Sequence, residues 1–256
     1  MVRRTTYLSA TAEPGPAPLR PDVATICSAQ AAAASLGPED ELPAIGGVFG
    51  GTRRLLRADL QAELAEARRF AAEGEPLCLE IGFGDGSFLA EFAAAQPEAR
   101  CLGLEVRRKL VLLARAKAAA RGVTNVRVLE GDARVVLPRL VAPGRLQQVF
   151  ILFPDPWWKD RHWARRTLVT PPFALLLHGL LASGGVVTCK TDVPAVAAQI
   201  QQVFDEAPGY VRTAQDRVVA PPSATTRRER RCLSEGAPFV VLRWAQQELP
   251  SPGAGA

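Results

Sequence analysis

The sequence predicts an α/β fold, a mostly parallel sheet with helices on both faces, and three observations point there. From Pro76 onward, short apolar runs at 77–81, 101–106, 126–129, 148–152 and 186–189 alternate with helix-like stretches at 87–95, 107–121, 134–140, 164–181 and 194–206. Such alternation builds βαβ units, because parallel neighbours need a crossover connection and their strands are buried on both sides. A glycine-rich turn follows the first run, at the strand end where open α/β sheets hold ligands. With 256 residues, 48% hydrophobic and 22% charged, the chain can bury a large core without disulfides or metals.

Taken in order, residues 1–46 carry six prolines and an alanine run at 31–34, with Tyr7 as the only aromatic, and read as a flexible N-terminal arm. Gly47 to Thr52 is a glycine-rich turn, and Arg53 to Phe70 places Leu56, Leu60 and Leu64 at helical spacing among charges, an amphipathic helix. The βα alternation follows. Thr167 to Cys189 has no formally charged residue and is long enough to span a bilayer. Pro171-Pro172 and Gly184-Gly185 interrupt it, so it reads as a buried helix, a turn and a buried strand. The segment 238–244 reads as a final strand and 250–256 as a disordered tail, which leaves a single domain over 47–249.

The net charge of +5 permits a polyanionic partner without demanding one. Cys27, Cys78, Cys101, Cys189 and Cys232 are odd in number and form no C-x-x-C pair, which favours a reducing compartment and predicts no metal site. No apolar stretch of secretory type follows Arg3 and Arg4, so a cytoplasmic protein is expected, with monomer and homodimer both open.

The first run ends in Glu80-Ile81-Gly82-Phe83-Gly84-Asp85-Gly86-Ser87 and enters a helix. Glycines there let the backbone approach a ligand and expose helix N-terminal amides. The third glycine falls one position early for a dinucleotide fingerprint, and Glu80 would repel a pyrophosphate. An acidic residue suits a cation, and S-adenosyl-L-methionine carries both an ammonium and a sulfonium. Glu105 ends the second run 19 residues past Gly86, where a carboxylate accepts both ribose hydroxyls. Asp132 ends the third run, where it would accept from the adenine amino group, cap the following helix, or do both.

The most specific string is Phe153-Pro154-Asp155-Pro156-Trp157-Trp158-Lys159-Asp160-Arg161-His162-Trp163-Ala164-Arg165-Arg166. Its cations and tryptophans suit phosphates and unstacked bases, the combination used in RNA binding. His162 reads as a hydrogen-bonding or structural member and His178 as structural on its apolar helix. The string resembles the F-P-D-P-W-x-K-x-R-H-x-x-R-R signature of the tRNA (guanine-N7)-methyltransferase family. Thr226-Arg227-Arg228-Glu229-Arg230-Arg231 is similar to that family's T-K-F-E-x-R segment, and Thr191-Asp192 fits it too. Arg228 stands where the family usually has an aromatic, Trp158 where a His is common.

The resemblance covers about residues 76 to 244. It implies a Rossmann-like class I methyltransferase fold with a seven-stranded sheet, S-adenosyl-L-methionine as donor, and a guanine of the tRNA variable loop as acceptor. Carried over, it places cofactor contacts at Glu80, Glu105, Asp132 and Asp155, with Asp155 also catalytic; the loop glycines Gly82, Gly84 and Gly86 are read as cofactor-binding from the turn itself. It places substrate contacts at Lys159, Asp192, Thr226, Arg227, Arg228 and Glu229, and the basic string adds Arg161, His162, Arg165 and Arg166 as candidates. Two other classes compete. An amino-group methyltransferase would end its fourth strand in an N/D-P-P-Y-type loop, and Asp155-Pro156-Trp157 lacks the second proline; a catalytically silent RNA-binding module need not keep Glu80, Glu105 and Asp132.

Overall fold

A computed structural model describes residues 58–74, 76–156 and 167–249. Helix α1 (Ala58–Ala72) precedes strand β1 (Leu77–Ile81), and the alternation continues through α2 (Ser87–Ala95), β2 (Arg100–Glu105), α3 (Arg108–Ala120), β3 (Val126–Glu130), α4 (Ala133–Leu140) and β4 (Leu146–Leu152). Then come α5 (Pro171–Leu180), β5 (Leu181–Thr191), α6 (Pro194–Glu206), β6 (Tyr210–Arg212), α7 (Arg227–Glu235) and β7 (Val240–Gln246). The seven strands form one sheet in the order β3-β2-β1-β4-β5-β7-β6. Strands β1 to β5 pair in parallel, and β7 runs antiparallel to both β5 and β6.

Every residue of β1 and β4 is buried, as expected for central parallel strands covered on both faces. Alternate side chains feed two cores. Leu77, Leu79 and Ile81 join α1, α4, α5 and α6 in the larger one, whereas Cys78, Cys101 and Phe150 face α2 and α3 in the smaller. Cys78, Cys101, Cys189 and Cys232 are all buried free thiols. The chain turns from β1 toward β2 and β3 on one side and resumes at β4 on the other, so the reversal lies between β1 and β4.

Boundaries differ from the sequence reading at several places. The helix expected from 164 begins at Pro171, because a proline ring is tolerated in the first helical turn and disfavours helix in the residue before it. The strand expected at 186–189 begins at Leu181 and contains Gly184-Gly185 rather than following a turn there. Its pairing with β4 shifts register between Leu146 and Gln148, and a Cβ on Gly185 would lie 2.6 Å from the Leu146 carbonyl, so the irregularity belongs to the strand. The final strand runs two residues later than expected, and α7 and β6 were not anticipated from composition. Among the described residues no helix is long and apolar enough to cross a membrane.

Candidate active site

The carboxyl ends of β1 to β5 carry the acidic residues that the sequence singled out. Gly82, Gly84 and Gly86 all have left-handed backbone, with φ of +72°, +57° and +69°. A Cβ on Gly82 or Gly84 would meet nothing within 4 Å, so their backbone borders open space, whereas at Gly86 it would lie 2.4 Å from the Ala114 Cβ. Gly86 therefore lets α3 close on the loop, and the other two leave room for a ligand. Asp85 anchors the turn by accepting from the Ser87 amide and hydroxyl, and Lys117 of α3 donates to Asp85 and to the Ser87 hydroxyl, each at 2.7 Å.

Beneath this loop Glu80 is 1% exposed, and its Oε2 is buried with no hydrogen-bond partner. Burial, reinforced by the neighbouring charges of Asp85 and Glu105, pushes its carboxyl up to about 8, against the opposing effects of the Leu89 amide and the Lys190 charge. Glu105, also buried, accepts from the Gly84 amide at 3.2 Å and from the Arg107 amide at 3.0 Å, which ties the second strand end to the glycine loop. Asp132 is the N-cap of α4, accepting from the Arg134 amide at 3.0 Å and from the Arg134 guanidinium. The capping role is thus present, and a contact with adenine would have to share its oxygens with Arg134.

At the end of β4 the backbone of Phe153 has φ of +51°, a conformation that non-glycine residues rarely adopt. Its amide donates to the Lys190 carbonyl at 2.7 Å, and Pro154 to Pro156 leave from there. Asp155 is exposed on the rim of a cleft of about 140 Å³ that Pro154, Pro156, Val169 and Val196 also line. The basic, tryptophan-containing string beyond it, with Lys159, Arg161, His162, Arg165 and Arg166, lies outside the described residues.

Beyond β5, Thr226 caps α7 by accepting from the Glu229 amide at 3.0 Å. Asp192 is paired with Arg228, whose guanidinium holds the Asp192 carboxyl below the usual carboxylate range. Glu229 is buried; its Oε1 accepts from Lys190 at 2.6 Å, and its Oε2 has no hydrogen-bond partner. Lys190 and Glu229 line a second cleft of about 150 Å³, with Phe88, Phe150, Ala220 and Thr225. The segment Ala220 to Thr225 is strapped to the sheet through Asp216, which accepts from Thr188, from Gln148 and from Arg243 at 2.8 Å. Arg227, Arg230 and Arg231 remain exposed on α7.

The sequence reading passed over Asp85, Lys117, Lys190 and Asp216, each of which has a partner far off along the chain. It also passed over α7 itself, although Thr226-x-x-Glu229 is the spacing of a capping box.

The family described as "Putative methyltransferase" matches residues 74–242. The chain is 45% identical over 180 residues to a tRNA (guanine-N(7)-)-methyltransferase of Anaeromyxobacter dehalogenans (strain 2CP-C), spanning 68% of this chain and 88% of the relative. It is 38% identical over 171 residues to the protein of the same description from Myxococcus xanthus (strain DK1622), spanning 66% and 82% respectively. Among solved structures, the aminoglycoside resistance methyltransferase NpmB1 superposes with a TM-score of 0.50 at 16% identity, covering 72% of this chain and 93% of that one; this likeness concerns the fold.

Proposed function

The chain belongs to the tRNA (guanine-N7)-methyltransferase family, and from that premise we propose that it transfers a methyl group from S-adenosyl-L-methionine to N7 of a guanine in tRNA, in the variable loop. The observation that carries the reading is the buried, unpartnered oxygen of Glu80 beneath a glycine loop whose backbone borders open space. A desolvated carboxylate with a free oxygen calls for a cation, and the donor's ammonium and sulfonium supply one. The neighbouring strand ends offer Glu105 for the ribose and Asp132 for the adenine amino group. Bound there, S-adenosyl-L-methionine supplies a methyl group made electrophilic by the sulfonium.

The residues of the chain then have little proton chemistry to perform. Guanine N7 presents an in-plane lone pair and no proton, so its attack on the methyl carbon requires no base. Holding nucleophile and methyl in a near-attack pose supplies about 7–11 kcal/mol. Asp155, at the rim beside β4, opposes the positive charge that builds on the purine as N7 is alkylated. An arginine reading N7, the usual way proteins recognise guanine, would occupy the reactive lone pair. Recognition therefore falls to an acceptor for the N1–H and 2-amino donors, and Glu229, which lines the cleft and whose buried Oε2 has no partner, is the candidate. Asp192, which the sequence offered for the same task, is engaged with Arg228. Exposed Arg227, Arg230 and Arg231, with the basic string 159–166, provide phosphate contacts.

Incubation with methyl-labelled donor and bulk tRNA, followed by digestion to nucleosides, tests the reaction. Label in 7-methylguanosine is the expected result, and label in another nucleoside, or none, refutes the assignment. Chemical cleavage at the modified base then locates it along the tRNA.

A further inference from the structure

Gln148 lies on β4, a central strand in which every residue is buried, and is itself 0% exposed. An amide group in that setting is costly unless its donors and its acceptor are used, and here they are. Its Oε1 accepts from the Arg217 amide at 2.9 Å and from the Val218 amide at 3.4 Å. Its Nε2 donates to the Thr188 hydroxyl at 2.9 Å and to Asp216 at 3.3 Å. Asp216 also accepts from the Thr188 hydroxyl and takes the Arg243 guanidinium in a two-point pair at 2.8 Å and 2.9 Å. One buried network thus ties β4, β5 and β7 to residues 216–218 of the strap that links β6 with α7.

Beyond this anchor the strap has little freedom. The Gln96 side chain at the end of α2 donates to the Val219 carbonyl at 3.1 Å. Pro221 and Pro222 have their φ fixed by the ring. The Ala224 amide donates to the Pro221 carbonyl at 2.9 Å, Ala224 is buried in the smaller core, and Thr226 caps α7. A displacement at residues 216–218 is therefore carried into α7. The strand that supplies the anchor also delivers Phe153 and Asp155 beyond its carboxyl end. Through β4, Gln148 joins the helix that exposes Arg227, Arg230 and Arg231 to the loop that carries Asp155.

We propose that Gln148 is a positioning residue for methyl transfer, which fixes α7 relative to the end of β4 so that bound tRNA meets the methyl donor in line. The proposal rests on the reading of α7 as part of the tRNA-binding face. Methionine at this position has a similar length but leaves the Arg217 and Val218 amides without their acceptor, and only outward movement of the strap gives them water instead. A misplacement of about 1 Å costs up to about a hundredfold in rate when two reacting atoms must be held in a near-attack pose. The glycine loop after β1 and Glu105 at the end of β2 lie outside the network, so binding of the donor is untouched.

The test compares full-length wild type, Gln148→Met and Leu177→Ala, the last opening a cavity in the larger core, at a temperature where all three are folded. Amide hydrogen exchange is followed along the chain, affinity for S-adenosyl-L-homocysteine is measured by calorimetry, and kcat and KM are determined on tRNA. Gln148→Met is expected to speed exchange at Arg217 and Val218 about tenfold or more, through local opening of the strap. Its kcat should fall about tenfold or more with a smaller change in KM, while affinity for the demethylated donor stays within about twofold. Leu177→Ala should keep the wild-type kcat and the wild-type exchange in the strap. Should Gln148→Met fail to fold, Asp216→Asn weakens the same anchor from the strap side and carries the same expectations. Unchanged exchange in the strap, a wild-type kcat despite faster exchange, an equal loss in Leu177→Ala, or a parallel loss of donor affinity overturns the proposal. Arg227→Ala, titrated with tRNA alongside, separates the premise. Unaltered affinity in that variant overturns the reading of α7, whereas weakened affinity together with a wild-type kcat in Gln148→Met overturns the proposal alone.

Discussion

Glu80 is a carboxylate placed where its charge is costly until a cation arrives. Its protonation midpoint in the fold, about 8, lies far above that of an exposed glutamate, so ionisation favours the unfolded chain. The stability it contributes is complete below the unfolded value of about 4.3 and is lost as pH rises through about 8. The ligand-free protein is therefore expected to melt at progressively lower temperature between about pH 5 and 9, and Glu80→Gln should flatten that decline. Thermal melts across that range decide the matter, and parallel curves for the two proteins would remove the argument. Glu229 makes a second residue-scale prediction. Replacing the target guanosine by inosine deletes the 2-amino donor and leaves N7 intact, which should cost about 1–3 kcal/mol in kcat/KM through an unpaired acceptor. Equal turnover of the two tRNAs would refute recognition at that edge. The acids at the strand ends could be read from the sequence because each lies at or just past the end of an apolar run. Lys190 could not, since nothing local marks a lysine whose partner lies on a helix 39 residues downstream.

Elements were legible where their own composition settles the matter. Strands β1 to β5 are apolar runs because both faces are covered, and the intervening helices carry an apolar stripe. The helix α7 reads as a charge run, Arg227-Arg228-Glu229-Arg230-Arg231, and is organised instead by the Thr226 cap and by the burial of Glu229 and Cys232. Strand β6 has three residues and is held by β7, a long-range partner that composition does not announce. Close packing between elements also sets a limit on substitution. In β2, a Cβ at Gly103 would fall 2.6 Å from Leu89, 2.7 Å from Phe83 and 2.9 Å from Val128, behind the glycine loop. Gly103→Ala is expected to destabilise the fold by about 1–3 kcal/mol, because three packed side chains must shift. Urea denaturation should show a lower midpoint at unchanged slope, and an unaltered midpoint would show that α2 and the loop yield freely.

Across the whole molecule, acidic residues mark the strand ends, whereas α7 exposes Arg227, Arg230 and Arg231 to solvent. Attraction for a polyanion therefore depends on counterion release, and tRNA affinity should fall steeply as salt rises. Removing one phosphate contact, for example Arg227→Ala, should make the slope of log affinity against log salt shallower by somewhat under one unit. Filter-binding titrations at several salt concentrations measure it, and a salt-independent affinity would reduce α7 to a solvated surface. The four buried cysteines bear on how such experiments are performed. Burial raises the thiol of Cys78 to about 12 and those of Cys101 and Cys189 still further from the thiolate range, so alkylating dyes have little to react with in the native fold. With Cys27 changed to serine, a single cysteine introduced on α7 becomes an addressable position for a fluorophore, spin label or crosslinker. The native thiols then serve as a clock, since their modification records each excursion to an opened chain.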